Sequence, residues 1–438
     1  MKKLFLILLC VPLIGLGQSG ELKFCSDSVY SDASEVQQTI DGGFAAINWG
    51  GGTYPGGSNG PILIKIDANL DTSWTKNDYS YIMNLGGQTW TVNAVTVRSF
   101  QQTLDGGYIL CGGNTDLYLI KTDVNGNQLW GKSFYNICPH PPQMFGITIF
   151  NPHVIQTFDG GYMITGTHLC NTNNDRWIFL IKTDSNGVLM WETQLQTLND
   201  AYASDIEQTL DGGYIICGAE DTGWPILLKT DQNGNLLWQF TPTWQGYFSA
   251  VEQTTDLGYI VSGGLGSSIS YLQKVDQNGA NLFSVYINLA IPFDVIQSSD
   301  GGYLCTGAAV NPVDPNYSEM SLIKTDAGGS TIWQKNYDVA SFGDYSQGMS
   351  VDNIMSGGYI VGGITYGCPT PDNGTGNLYI VRTDGNGNIT STKNILENTN
   401  KTLIKITDIL GREVNEKRNT PLFYIYNDGT VEKKMIIE

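Results

Sequence analysis

Residues 211–238 read DGGYIICGAEDTGWPILLKTDQNGNLLW. Two turn signals divide this stretch. Asp211-Gly212-Gly213 and Asn233-Gly234-Asn235 supply the residue types that accept the positive φ of tight hairpins. Around them lie short apolar runs at 214–217, at 226–228 (leading into Lys229-Thr230-Asp231) and at 236–238, which ends on Trp238. A fourth run, 204–209, precedes the first turn. The spacing predicts a four-stranded antiparallel meander.

The unit recurs seven times. Its DGGY-type signal falls at 41–44, 105–108, 159–162, 211–214, 256–259, 300–303 and 356–359. Its second signal, K-T-D-x-N-G-N or a relative, falls at 65–71, 121–127, 182–188, 229–235, 274–280, 324–330 and 382–388. From that Asp to the next aromatic the distance is constant in six units: Asp67 to Trp74, Asp123 to Trp130, Asp184 to Trp191, Asp231 to Trp238, Asp276 to Phe283 and Asp326 to Trp333. Constant spacing across a turn fixes strand register. The 53 glycines mostly belong to turns and open loops, and no long stretch shows helical apolar periodicity. The expected fold is all-β: a seven-bladed β-propeller over residues 18–394, followed by a small C-terminal β-domain at 395–438. One Trp per unit at fixed register, on the outer strand, is expected to fill the gap to the neighbouring blade.

Residues 1–17 carry Lys2 and Lys3, an apolar run to Leu16 and small residues at Gly15 and Gly17, the pattern of a secretory signal peptide. The run is too short for a membrane span, and Leu9 before Cys10 argues against lipidation. The chain's net charge of -19 disfavours nucleic-acid binding, which needs a basic face. Leu22-Lys23-Phe24 resembles the last strand of a unit, and the seventh unit lacks a Trp at that place, so the N-terminal strand is expected to complete the last blade and close the ring. The protein is expected to be monomeric.

Gln208-Thr209 with 211–214, and 227–235 with Trp238, resemble the secreted repeat propellers of Bacteroidota. That resemblance implies a fold and no reaction. The end of the chain, LIKITDILGREVNEKRNTPLFYIYNDGTVEKKMII, shows three strand candidates at 403–408, 422–426 and 431–437. Lys405, Asp408, Gly411, Arg412, Phe423-Tyr424-Ile425, Gly429, Lys433 and Lys434 resemble the type A sorting domain of type IX secretion cargo. The match implies recognition by the type IX machinery, passage across both membranes, and a location outside the cell or on its surface. It is shorter than usual, and the Pro-Asn-Pro start is missing.

Cys111, Cys217 and Cys305 follow DGGY turns and read as small core residues. Cys138 and Cys170 lie in long connections on one face and are expected to form a disulfide in an oxidising compartment. Cys25 and Cys368 could meet similarly. Cys138-Pro139-His140 facing His168-Leu169-Cys170, with His153 nearby, offers a zinc alternative, but C-x-H is a strained spacing. The D-x-N-G-N turns echo the start of a calcium loop, without the Glu at its twelfth position. Turns in which Asp bonds its own backbone are the better reading. Neither metal nor cofactor is expected.

No H-E-x-x-H is present, and with no helical periodicity the chain offers no strand-to-helix turn for a nucleophile elbow or a phosphate-binding glycine loop. The function expected is therefore a binding or adhesion module, with a glycan or surface protein as partner. A polysaccharide-active hydrolase or lyase is the alternative. DGG and NGN turns share one face of a meander ring, and length varies only in the other connections: 48–60, 77–94, 136–152, 167–175 and 364–376. Long loops on a rigid scaffold are where binding resides. The expected ligand contacts are the aromatic residues that break the repeat there: Trp49, Tyr54, Trp90, Trp177, Trp224 and Trp244.

Overall fold

The computed structural model describes residues 21–24, 31–32, 35–50, 62–85, 88–94, 97–113, 117–134, 147–170, 176–195, 197, 199–266, 269–311, 314–315, 317–337, 345–365, 377–390, 393–395, 403–407, 412, 414, 422–426 and 431–434. Among them the regular structure is entirely strand. Two units separate, 1–394 and 395–438.

The first unit is a seven-bladed β-propeller of four-stranded antiparallel blades. Blade 4 shows the plan: Ala201–Gln208 innermost, then Tyr214–Glu220, Pro225–Thr230 and Leu236–Phe240. The middle two strands are wholly buried and the outer one is exposed at Leu236 and Leu237 and half-buried from Trp238 on. That follows from the sequence, where the middle strands are continuous apolar runs and the outer strand is mixed. Blade packs on blade through apolar clusters, such as Ile215, Cys217 and Leu227 of blade 4 with Phe248, Val251 and Val261 of blade 5. Cys111, Cys217 and Cys305 are free and buried, as core residues should be.

The DGG turn is more than a hairpin. Asp211 Oδ1 accepts from Thr209 Oγ1 at 2.5 Å and from the Gly213 N–H at 2.9 Å, while Lys229 Nζ reaches Asp211 Oδ2 at 3.0 Å. Lys229 is buried, and its ammonium also donates to the Thr230 carbonyl at 2.8 Å. The Lys of K-T-D on the third strand thus locks the turn between the first and second. The same pair recurs as Lys65–Asp41, Lys121–Asp105, Lys182–Asp159, Lys274–Asp256 and Lys324–Asp300. Blade 7 has Ser356 and Arg382 at these places, and Arg382 instead donates to the Ala68 carbonyl of blade 1 at 2.6 Å.

In the NGN turn Asp231 Oδ1 accepts the N–H groups of Asn233 and Asn235 at 2.9 and 2.8 Å, and Oδ2 accepts from Asn235 Nδ2 at 2.8 Å. The carboxylate is occupied by its own turn. The turn's glycine sits at φ 80° and lies under the outer-strand ring of the preceding blade. A Cβ on Gly234 would stand 2.9 Å from Trp191, and one on Gly279 2.9 Å from Trp238. These rings also meet the next blade's DGGY tyrosine: Trp74–Tyr108, Trp130–Tyr162 and Trp238–Tyr259 have centroids 5.9, 6.0 and 5.9 Å apart. Each ring is an inter-blade wedge.

Closure follows the expected route. Glu21–Phe24 pairs antiparallel with Asn377–Thr383, Leu22 opposite Ile380, as the fourth strand of blade 7, with Lys393–Ile395 as a short fifth strand outside it. A chain that supplies both ends of one blade leaves that blade no open edge between them.

One insertion departs from expectation. Residues within 77–94 form a hairpin, Ser80–Leu85 with Gln88–Asn93, that joins the outer edge of blade 2 through parallel pairing of Ile82 with Lys132. It widens that blade to six strands instead of forming a loop over the ring face.

The second unit contains a three-stranded antiparallel sheet of Leu403–Thr407, Leu422–Tyr426 and Val431–Lys434. Of the sorting-motif residues, Tyr424, Lys433 and Lys434 are on its strands and Arg412 is exposed, whereas Asp408, Gly411 and Gly429 lie outside the described residues.

Candidate binding site at the mouth of the central channel

The seven inner strands surround a channel. Each runs from the variable-loop face to the DGG face. In blades 4 to 7 one extra residue interrupts its pairing with the second strand: Ser204, Ser249, Phe293 and Met349. Arg98 holds the same place in blade 2, and Asn151 with Pro152 in blade 3. A bulge bends the strand and re-aims a side chain. Here six bulges present their residues to one cavity of about 660 Å3 at the variable-face mouth, which Tyr202, Tyr247 and Gln347 also line. Asn151 adopts φ 45°, a left-handed conformation that asparagine tolerates better than most residues.

The bulges have a sequence cause. A glycine stands four residues after the DGGY aromatic: Gly112, Gly166, Gly218, Gly263, Gly307 and Gly363. At the bulge the inner strand's carbonyl comes so close that a Cβ on Gly218 would be 1.9 Å from the Tyr202 oxygen. On Gly263 it would be 2.2 Å from that of Tyr247, and on Gly363 1.9 Å from that of Gln347. Only glycine fits. This periodic glycine is the signal that locates the mouth, and reading the turns alone misses it.

Below the mouth the channel narrows to a cavity of about 340 Å3 lined by Glu35, Asp205, Glu207, Glu252, Asp294, Asp352 and His153. The carboxylates tie blades together. Glu35 accepts from the Phe100 N–H at 2.9 Å, Asp205 from Val251 at 3.0 Å, Asp294 from Val351 at 2.8 Å and Asp352 from Gln38 at 2.9 Å. Glu207 accepts from Gln253 and Glu252 from Gln297 in the same way. Despite these donors, loss of solvent pushes Glu35, Asp205 and Glu252 up to about 8, Glu207 to about 7 and Asp294 to about 6. Burial lowers His153 to about 4, so its Nδ1, 3.9 Å from Asp205, faces that carboxyl as a neutral ring. At the mouth, burial raises Tyr247 to about 12, and burial with the nearby Asp221 raises Tyr202.

Of the six aromatic residues expected to bind ligand, the four whose side chains are described, Trp90, Trp177, Trp224 and Trp244, do not line this mouth. Trp90 is exposed on the hairpin that edges blade 2. Trp177 is half-buried and stacks on His168, with centroids 6.1 Å apart and planes at 10°. His168 is buried, its ring nitrogens without a hydrogen-bond partner among the described residues, and it does not line the channel cavity as His153 does. Trp224 is half-buried at the turn before Pro225. Trp244 stacks on Tyr271 at 4.1 Å and meets Phe248 edge-on, its ring pinning the connection into blade 5. Trp49 continues a strand opposite Asp32, and Tyr54 lies outside the described residues. Cys138 and His140 lie outside them too, and so does the side chain of Cys170. The disulfide and the zinc alternative therefore fall on residues that are not described.

No protein-family model matches the chain, and no curated protein matches it. Solved structures do. A protein of unknown function from Bacteroides caccae covers 64% of this chain with 91% of its own, at 15% identity and a TM-score of 0.42. One from Dyadobacter fermentans covers 83% with 99% of its own, at 9% identity and a TM-score of 0.48. Raptor from Chaetomium thermophilum matches over 84% of this chain at 8% identity and a TM-score of 0.53. This chain corresponds to only 29% of Raptor's length. That likeness is one of fold alone.

Proposed function

We infer that this chain is an exported binding module that holds its ligand at the variable-face mouth of the channel. The observation that carries this reading is the set of bulges. Six inner strands give up a regular pair to turn a side chain into one cavity, and bulges cluster at functional rims. Tyr202, Tyr247 and Phe293 offer ring faces there, and Asn151, Gln347 and Arg98 offer polar groups. Such a mixture suits a glycan or a polar segment of a surface protein. Trp177 and Trp224 stand on the same variable-loop face as outlying contacts. The enzyme alternative has weaker support, because each channel carboxylate is engaged by a main-chain N–H of the next blade.

Calorimetric titration against soluble plant and microbial polysaccharides and purified surface proteins tests the site. For any ligand found, Tyr202→Ala with Tyr247→Ala should weaken binding at least about tenfold, the scale of a lost aromatic anchor. Unchanged affinity in a variant that melts normally would place the site elsewhere. Sugar release from the same panel would favour the enzyme.

The leader at residues 1–17 and the sorting-like C-terminal sheet support export through the type IX machinery to the cell surface or medium. Removing residues 403–438 should leave the protein in the periplasm with its leader cleaved. Normal surface appearance of the truncated chain would refute the sorting role.

A further inference from the structure

The opposite face carries a feature that neither the fold nor the mouth requires. In T-x-D-G-G the residue x sits at the tip of a turn, where polar residues are usual. In five successive blades, counting round the ring from the seventh, it is large, apolar and exposed: Met355, Ile40, Leu104, Phe158 and Leu210, at 73, 69, 82, 64 and 70%. Blade 5 continues the arc differently. Thr255 holds the x position, but Leu257 replaces the middle glycine of the turn, at φ 68° and 42% exposed. A leucine held in a left-handed conformation is strained, and this one keeps an apolar group on the same face.

The arc is rigid. Each x residue's N–H is held by a glutamine of the next blade: Met355 by Gln38 at 2.7 Å, Ile40 by Gln102 at 2.8 Å, Leu104 by Gln156 at 2.8 Å, Phe158 by Gln208 at 2.7 Å and Leu210 by Gln253 at 2.8 Å. At its end Leu210 and Leu257 join Leu237 and Trp238 around a notch of about 470 Å3 between blades 4 and 5. Large exposed apolar side chains gathered at one turn position on one face, rather than scattered singly, point to an interaction site.

Charge selects the occupant. The DGG aspartates beside the arc are matched by buried lysines, but the NGN aspartates on the same face are not paired in that way. Asp123, Asp184, Asp231 and Asp276 accept hydrogen bonds from Asn127, Val188, Asn235 and Ala280 respectively, and all four have lowered pKa values. They remain charged at any physiological pH. A second copy docked face to face would set like charges against each other, and an anionic lipid surface would be repelled. We propose that the DGG face is a docking surface for a basic amphipathic protein segment, its apolar side chains on the arc and its Lys or Arg side chains on the surrounding aspartates.

The probe is a synthetic amphipathic peptide with leucines on one face and lysines on the other, beside a counterpart with glutamates for lysines. Fluorescence anisotropy with the full chain should show binding of the lysine peptide, weakened by salt, and none of the glutamate peptide. Leu104→Ser/Phe158→Ser/Leu210→Ser leaves net charge unchanged and should weaken binding at least tenfold. Should that variant melt early, single Leu104→Ser at the most exposed position should still weaken it measurably. Tyr202→Ala/Tyr247→Ala, on the other face, should bind the peptide as the parent does. Equal binding by the serine variants, equal binding of the glutamate peptide, or loss in the mouth variant would overturn the proposal. So would a dimer in sedimentation that the serine triple abolishes.

Discussion

Trp238→Ala is expected to destabilise the propeller by about 3 kcal/mol, the lower part of the range for removing a large aromatic from a packed site. The ring is half-buried, which sets it toward that lower end. It packs on the cluster shared by blades 4 and 5, meets Tyr259 at 5.9 Å and covers Gly279. Removing it empties the wedge between two blades that cannot close up, because their inner strands are fixed round the channel. Chemical denaturation measures the loss, and a value below about 1 kcal/mol would mean that the ring bears no inter-blade packing. A cycle with Gly279→Ala sharpens the test. At φ 82° that alanine is strained in any context, but its clash with the ring vanishes once Trp238 is gone. The double variant should therefore lose less than the sum of the two single changes.

Melting temperature is expected to fall as pH rises from about 5 to 8, by on the order of 5 °C. Glu35, Asp205, Glu207, Glu252 and Asp294 hold their protons more tightly in the desolvated channel than in the unfolded chain. The fold therefore binds more protons than the unfolded chain between about pH 4 and 8. The stability from these groups is present in full below that window and is lost as pH climbs through their raised values. The DGG aspartates act in the opposite sense at lower pH. Burial works against Asp159 and Asp300, yet Thr157, Lys182 and Gly161, and in the other turn Lys324, Ser298 and Gly302, hold them at about 2. Their contribution is present above the ordinary carboxylate range and is lost as pH falls toward 2. A maximum near pH 4 to 5 follows. Glu35→Gln/Asp205→Asn/Glu252→Gln keeps an oxygen to accept each main-chain N–H and should flatten the fall above pH 5. A melting temperature that rises toward pH 8 in the parent, or an unchanged slope in the triple variant, would contradict this account.

The blade count, the turns and the closing strand were legible because their causes are local. Asp211-Gly212-Gly213 and Asn233-Gly234-Asn235 act within a few residues, and the interval from Asp231 to Trp238 sets the register of one hairpin. Phe24 and its neighbours could be matched to a missing outer strand because every other blade showed one. The candidate site was not legible in the same way. Glu35, Ser99, His153, Asp205, Ala250, Asp294 and Ser350 hold the same position in successive blades yet share no chemistry, so the repeat gives no hint that several of them meet.

What the sequence by itself determined is the repeating frame: seven meanders, the registers of their hairpins, and a ring that closes on its own first strand. What only the tertiary structure decided is the Lys lock across each DGG turn and which non-repeating side chains meet across blades. Trp90, Trp177 and Trp244 looked alike as departures from the repeat, but a hairpin, a histidine and a neighbouring tyrosine each claim one of them. Tyr202, Tyr247 and Phe293, each some 45 residues from the next, share one mouth. Side chains so far apart in the chain become neighbours only after the ring has closed, when each bulge has turned its residue inward and desolvation has set the charge state of the carboxylates beneath.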